Sequence, residues 1–327
     1  MNQSFKKPDR FRVRDFRRSD YDSFAAIHDS LFPSHQFFLE RTEHEDACFE
    51  NSVYKMKRIV AENEAGEVLA VGGVNHVFFD YHPRKFSLSI EVHPRWQRNG
   101  IGNMLYENLL AQLQIMGAEV AWSDVLAGLA SGEAFVKKRG FAKKRTLVES
   151  TLDLASVKLD RLSPLERTLR DQGIIITDLA AEMRDDKDTG KKLFDVEDSA
   201  DKDVPTIGEH ISMTYQDYVA LILNSSIFVW EGSFVAKFRD SYVGSSTVLR
   251  NGKNDALDQG FTAVRPEFRG KGIAQAVKLR VAKHAKESGA KLLITRNDSR
   301  NDPMLAVNQK LGFVSRNEWI TFEKKIA

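Results

Sequence analysis

Apolar residues Ile101, Met104, Leu105, Leu109, Leu113 and Met116 return every three or four positions, the spacing of one buried helix face, and Gly117 follows as a stop. Ahead of that helix, residues 86–92 are rich in β-forming side chains and run into a turn containing glycine. Behind it, 118–122 reads as a strand, 132–138 as a short helix and 141–154 as a closing strand. The same order returns downstream: a strand ending at Val264, a helix over 273–287 with Gly289 as its stop, a strand over 291–296, a short helix over 303–310 and a last strand from Phe313. Pro303 suits a first helical turn, where its missing N–H costs nothing. Upstream, each series has room for a β-α-α-β-β lead-in, with strands over 12–16, 58–62 and 68–79 in one and over 174–179, 227–237 and 242–250 in the other.

The recurrence extends to the residues themselves. Val92 and Val264, Pro94 and Pro266, Gly100 and Gly272, and Ile101 and Ile273 all stand 172 positions apart. Gly117-Ala118 and Gly289-Ala290 keep that offset, as do Gly140-Phe141 and Gly312-Phe313. A gap-free series of this length marks two tandem copies of one unit. The expected division is a first domain over 1–156, a linker or helix over 157–172 with Ser163-Pro164 at a turn, and a second domain over 173–327. Strands followed by a strand–helix–strand crossover predict an α/β (α+β) fold, each domain a mixed sheet with flanking helices.

Composition narrows the setting. Hydrophobic residues make 42% and charged residues 29% of the 327, the profile of an ordinary soluble globular protein. The 48 Lys and Arg nearly balance 46 Asp and Glu, which argues against a nucleic-acid binder. Cys48 is the only cysteine, so no internal disulfide forms and a reducing cytoplasm is expected; its acidic neighbours Glu45, Asp46 and Glu50 argue against a nucleophile. Residues 1–11 are polar and basic with no leader pattern, and no apolar run is long enough for a membrane span. The eight histidines are scattered without a ligand spacing, so no metal is expected. The acidic stretch 185–203 reads as a solvated helix or loop face.

A strand that ends in a glycine turn and opens a helix leaves the first helical N–H groups without intrahelical partners, and these donors suit a pyrophosphate. Gly100, Gly102, Gly270 and Gly272 let phosphate oxygens approach the backbone, and Arg98, Arg265, Arg269 and Lys271 add positive charge nearby. Neither turn is a P-loop, and Leu105 and Gln275 stand where a dinucleotide fingerprint needs its third glycine.

Gln97-Arg98-Asn99-Gly100-Ile101-Gly102 and Arg269-Gly270-Lys271-Gly272-Ile273-Ala274 resemble the signature of the GCN5-related N-acetyltransferases. Gly140-Phe141 and Leu311-Gly312-Phe313 are similar to that family's Leu-Gly-Phe at the end of its last helix. The doubled arrangement resembles that of mycothiol synthase. The resemblance implies two GNAT domains, each with a mostly antiparallel sheet and a splayed parallel strand pair that admits the pantetheine arm of acetyl-CoA beside Val92 or Val264. It implies acetyl transfer to a primary amine, with a small-molecule amine as acceptor; a monomer or homodimer is expected, and the charge balance and short apolar runs leave neither nucleic acid nor membrane as an expected partner.

Attack on a thioester needs a neutral amine, and so a base; the developing oxyanion wants a backbone N–H. By the resemblance the base lies six positions before the strand's final Val, which is Asp258 in the second copy and Phe86 in the first. Strict alternation puts Asp258, Gly260, Thr262 and Val264 on one face and makes Glu91, opposite Val92, a weaker candidate. The family's helix Asn falls on Asn301, a partner for pantetheine amides, and its Tyr falls on Asn308; the first copy has Leu129 and Val136 there. The second half is therefore expected to be catalytic and the first degenerate. Without that Tyr, the leaving thiolate would take its proton from solvent or from Tyr215, Tyr218 or Tyr242. Two rival functions remain at this stage, a non-catalytic acyl-CoA sensor or scaffold and a protein N-acetyltransferase.

Overall fold

The computed structural model describes residues 11–50, 52–207, 209–253 and 255–326; residues 1–10, part of the stretch read as polar and basic, lie outside the described residues. The first copy supplies β1 (Arg12–Asp15), α1 (Tyr21–Leu31), α2 (Leu39–Phe49), β2 (Met56–Glu62), β3 (Val68–Asn75), β4 (Lys85–Val92), α3 (Ile101–Ile115), β5 (Val120–Leu126), α4 (Ala130–Lys138) and β6 (Ala142–Asp153). The second supplies α5 (Leu162–Asp171), β7 (Ile174–Asp178), α6 (Leu179–Asp185), α7 (Thr189–Asp201), α8 (Tyr215–Tyr218), β8 (Phe234–Phe238), β9 (Ser241–Arg250), β10 (Ala256–Val264), α9 (Ile273–Glu287), β11 (Leu292–Asp298), α10 (Asp302–Leu311) and β12 (Val314–Lys325). Gly117, Gly289 and Gly312 take positive φ where α3, α9 and α10 stop, the left-handed exit that ends a helix at little steric cost.

Three expectations change in detail. Ser163-Pro164 lies inside the first turn of α5 instead of in a loop, where Pro needs no donor. Residues 227–233 carry only a bridge from Phe228 to Leu249 before β8, because the backbone turns through Gly232, whose missing Cβ leaves room for Val248 at 2.7 Å. The acidic stretch is not simply a solvated face: α7 buries Leu193, Val196, Glu197 and Ala200.

The chain forms two compact units. In the first, β1–β2–β3–β4 are antiparallel and β4 pairs parallel with β5. In the second, β7–β8–β9–β10 are antiparallel, β10 pairs parallel with β11, and β11 pairs antiparallel with β6. The closing strands are exchanged along the chain. Most of β6, from the first copy, belongs to the second unit, whereas β12 from Thr321 onward belongs to the first unit beside β5. There the Trp122 indole donates to Glu323 at 3.0 Å and the Ile326 amide to the Glu119 carbonyl at 2.8 Å.

One sheet face of the second unit carries α9, through Val243, Val248, Val264, Ile273, Ala276, Leu279 and Ala282. The other carries α7, through Leu193, Val196, Tyr218, Phe228, Leu249, Phe261 and Ala263. In the first unit α3 and α1 cover the corresponding faces.

Candidate active site

Two backbone cradles repeat. Gly100 and Gly272 are the N-cap residues of α3 and α9, with φ of 85° and 87°. Two positions earlier Arg98 and Gly270 are also left-handed, with φ of 65° and 77°. No atom lies within 4 Å of where a Cβ on Gly100 or Gly270 would stand, so both turns have room before their helix N-termini. Gln97 and Arg269 hold the turns to their strands: Gln97 Nε2 donates to the Val92 carbonyl and Arg269 Nε to the Val264 carbonyl, each at 3.1 Å. Arg269 also donates to Asp203 at 2.6 Å. Asn99 braces its own turn through the Trp96 and Gln97 carbonyls. Ile101 and Ile273 are buried anchors of the helix starts, and Lys271 lies over the Phe268 ring. Gly102 is more crowded, with Phe135 at 3.2 Å of its missing Cβ; the second copy has Ala274 there.

Beside each cradle the parallel strands part. Pairing of β4 with β5 covers only Lys85↔Val120, Phe86↔Ala121 and Ser87↔Trp122, and pairing of β10 with β11 covers Ala256↔Leu292, Leu257↔Leu293 and Asp258↔Ile294. Beyond Ser87 and Asp258 the strand pairs open into wedges.

Asp258 therefore stands at the apex of its wedge, but not on the face that alternation implies. Gln259 pairs with Val248 and Thr262 with Ser246, so β10 carries one extra residue, a β-bulge at Gly260 and Phe261. A bulge reverses the alternation. Asp258, opposite Leu249, lies on the α7 face, whereas Gln259, Thr262 and Val264 lie on the α9 face. The side chains agree: Gln259 Nε2 donates to Ser246 Oγ at 2.8 Å, and Ser246 Oγ meets Thr262 Oγ1 at 2.8 Å. The expected counterpart in the first copy shifts too. Asp258 pairs with Ile294 as Ser87 pairs with Trp122, so its counterpart is Ser87, not Phe86. Asn251 Nδ2 donates to Asp258 Oδ1 at 2.5 Å and orients the half-buried carboxylate.

The two amide residues of α10 differ in role. Asn301 is the N-cap of α10 and accepts from the Met304 amide at 3.3 Å. Asn308 is buried; its Nδ2 donates to Asn297 Oδ1 on β11 at 2.8 Å, while its Oδ1 has no partner among the described residues. Gln259 Oε1, next to Asp258, is likewise buried and without a partner.

The sequence matches the profile of the acetyltransferase (GNAT) family over residues 21–141 and 205–313. The chain belongs to that family. Among solved structures it is similar to a tandem GNAT protein from the clavulanic acid biosynthesis pathway, with TM-score 0.73, 16% identity and 97% and 99% of the two chains covered. A GCN5-related N-acetyltransferase from Sphaerobacter thermophilus gives TM-score 0.68 at 16% identity, over 98% of this chain and 97% of that one. A GCN5-related glucosamine N-acetyltransferase region of a fungal multi-domain GH3 β-N-acetylglucosaminidase gives TM-score 0.69 at 14% identity, over 97% of this chain and 38% of that one. No curated protein matches the sequence. At these identities the likeness is one of fold: two GNAT domains in tandem.

The residues of the second GNAT unit fit an acyl-CoA. Its pantetheine arm carries amide N–H donors, and Gln259 Oε1 and Asn308 Oδ1 are buried acceptors that lack a donor among the described residues. Gln259 escaped the sequence reading, although a lone glycine inside a strand pattern, Gly260, signals a bulge. Among the described residues no group of three His, Cys, Asp or Glu side chains could hold a metal, and no helix is long and apolar enough to cross a membrane. Burial and Glu45 push the Cys48 thiol pKa up.

On the α7 face of this unit Glu197 is buried and accepts from Tyr218 Oη at 2.8 Å and Ser245 Oγ at 3.2 Å. Burial dominates and pushes its carboxyl up to about 7, despite these two donors. Tyr242 Oη donates to Glu182 at 3.0 Å. Burial, chiefly, raises the phenols of Tyr218 and Tyr242, and both hydroxyls are engaged with carboxylates.

Proposed function

We propose that this chain is a cytosolic acetyl-CoA-dependent N-acetyltransferase acting on a primary amine of a small molecule by direct attack on the thioester, and that its second GNAT unit is the catalytic one. The observation that carries this reading is Asp258 at the apex of the β10–β11 wedge, in a unit that also holds two buried amide oxygens lacking donors among the described residues. Acetyl-CoA, when bound, supplies an activated acetyl group. The α9 turn at Gly270 and Gly272 receives the pyrophosphate on backbone amides and the helix dipole. Gln259 and Asn308 accept from the pantetheine amides. Asp258, aimed by Asn251, takes the proton of the incoming ammonium, and general-base catalysis of this kind supplies about 10²–10⁴-fold.

Release of free thiol from acetyl-CoA across a panel of small amines tests the reading. The expected result is turnover that falls at least about a hundredfold in Asp258→Asn, with acetyl-CoA affinity retained. Acetyl-CoA binding without thiol release from any amine would put a sensor in the enzyme's place.

A further inference from the structure

A cavity of about 230 Å³ lies at the C-terminal end of α10, lined entirely by residues of the second unit. Its apolar wall comes from three elements, through Leu152 of β6, Leu279 of α9 and Leu311 of α10. The core of the unit, with Leu154, Leu293 and Phe313, holds these leucines in place. Gly312 keeps the cavity open between them. It takes positive φ at the α10 stop, and the first atom that a Cβ there would meet is Leu152 Cδ1, at 3.6 Å. Leu279 stands seven residues beyond Gly272, about 10 Å along the helix from the α9 cradle, and no cradle residue lines the cavity.

The rim is cationic. Lys158 and Arg161 come from the segment between β6 and α5, and Lys310 from the last turn of α10. No carboxylate lines the cavity, and among the described residues neither Lys158 nor Lys310 has an ion-pair partner. Arg161 Nη1 donates to the Lys310 carbonyl at 3.3 Å and so covers the negative end of α10. That helix end amounts to about half an elementary charge, against three positive side chains. The cavity therefore favours an anion, and its leucines favour one with an apolar body. The first unit is built otherwise. At the offset of 172, Glu107, Arg139 and Lys324 answer to Leu279, Leu311 and Leu152. Arg139 lies 3.4 Å over the Phe135 ring and Lys324 Nζ donates to Tyr106 Oη at 2.8 Å, so those side chains are held by contacts within their own unit.

We propose that this cavity is a second ligand site, separate from the acetyl-transfer site, which takes a small monocarboxylate with an apolar body. Lys158 and Lys310 hold the carboxylate by charge-assisted hydrogen bonds, and the apolar body lies on Leu152, Leu279 and Leu311. A volume of about 230 Å³ falls below that of pockets for drug-sized ligands, which sets the class at medium-chain alkyl or simple aryl acids. The site stands independently of the acetyltransferase reading, since it shares no residue with Asp258, Gln259, Asn308 or the α9 turn.

Calorimetry of the full chain with octanoate, below its micellar concentration, tests this. Saturable binding is expected, unchanged by saturating acetyl-CoA. Affinity is expected to fall about tenfold or more in Lys158→Glu/Lys310→Glu, which reverses the rim and leaves the leucines in place. Ser156→Phe, at an exposed position on the cavity wall, is expected to abolish binding while every cation stays. All of these positions are exposed, and far-UV circular dichroism of each variant checks that it folds as the parent does. Absence of saturable binding, affinity equal to the parent in either variant, or 1-octanol or acetate binding as tightly as octanoate overturns the proposal. Displacement of octanoate by acetyl-CoA overturns it too, because the cavity would then belong to the cofactor. A chain that binds octanoate as expected but releases no thiol from acetyl-CoA with any amine keeps this site and loses the acetyltransferase reading.

Discussion

The strands β4 and β10 occupy the same place in the two GNAT units and end at the same residue of the repeat, Val92 and Val264, yet they deliver their side chains differently. β4 pairs with β3 without interruption, whereas β10 carries one extra residue against β9. Downstream of the bulge the repeat runs at 172; upstream, the residue facing Trp122 or Ile294 is Ser87 in one unit and Asp258 in the other. A single inserted position thus moves a carboxylate from the α9 face to the α7 face, and strands of near-identical pattern present different chemistry. The carboxylate under the first covering helix is transposed in the same way. It comes from the strand as Glu91 in the first unit and from the helix as Glu197 in the second, where Ala263 stands at the Glu91 position.

The sharpest way to break this comparison is to remove the bulge. Deleting Gly260 restores the β4 pairing in β10 and turns Asp258 toward α9. Thiol release is expected to fall about 10²–10³-fold, as far as in Asp258→Asn, while far-UV circular dichroism and acetyl-CoA binding persist. Activity surviving the deletion would mean that Asp258 does not act from the α7 face.

Glu197 in the second unit and His28, paired with Glu91 in the first, separate in their pH dependence. Glu197 rises from an ordinary 4.5 to about 7 in the folded state, chiefly through burial. Between those values the unfolded chain sheds a proton that the folded chain keeps, so stability falls as pH rises from about 4.5 to about 7 and levels off above, by on the order of 3 kcal/mol. His28, also raised, contributes stability that is complete below its unfolded pKa of 6.5 and is lost as pH climbs through its higher folded value. Denaturant titrations of Glu197→Gln and His28→Gln against the parent chain should flatten the lower and the upper window respectively. A Glu197→Gln difference that does not vary with pH would refute the buried, protonated carboxyl.

A smaller effect tests why Gly260 is glycine. A Cβ there would stand 2.5 Å from Thr247 Oγ1 and 3.2 Å from the Thr247 carbonyl. Gly260→Ala is expected to cost about 1–3 kcal/mol, seen as a lower melting temperature. Gly73→Ala in the first unit, where the contacts are 3.5 Å or longer, is expected to leave it within about 0.5 kcal/mol.

The helices at the glycine turns were legible to within a residue or two, α9 at both ends, because a helix face, a left-handed stop and an open first turn each leave a residue-level mark. The exchange of β6 and β12 left none. A strand's alternation says which side is apolar and is equally satisfied by either sheet edge. Asp258 is singled out by the family resemblance, six positions before Val264, but its face is misread because alternation presumes a regular strand and Gly260 breaks it. Gln259 and His28 were invisible for a related reason. One is marked by an oxygen without a donor among the described residues and the other by a partner 63 positions away, and neither property is local in sequence.

The smallest predicted effect separates two reasons for glycine in the cradles. Arg98 and Gly270 are counterparts with the same left-handed backbone, so one unit tolerates a side chain where the other has none. Left-handed backbone costs a residue with a Cβ about 1 kcal/mol. Arg98→Gly is therefore expected to raise stability by about 0.5–1 kcal/mol, and Gly270→Arg to lower it by about 1 kcal/mol, without a clash, since no atom lies within 4 Å of the Gly270 Cβ position. Gly272 adds crowding to the same strain, because Leu165 Cδ2 lies 3.1 Å from its missing Cβ. Calorimetry with acetyl-CoA then separates conformation from access. If Gly270→Arg loses only that stability and still binds, glycine serves the turn. If binding falls further than stability does, the empty space at Gly270 belongs to the phosphate, and Arg98 marks the first cradle as the weaker of the two.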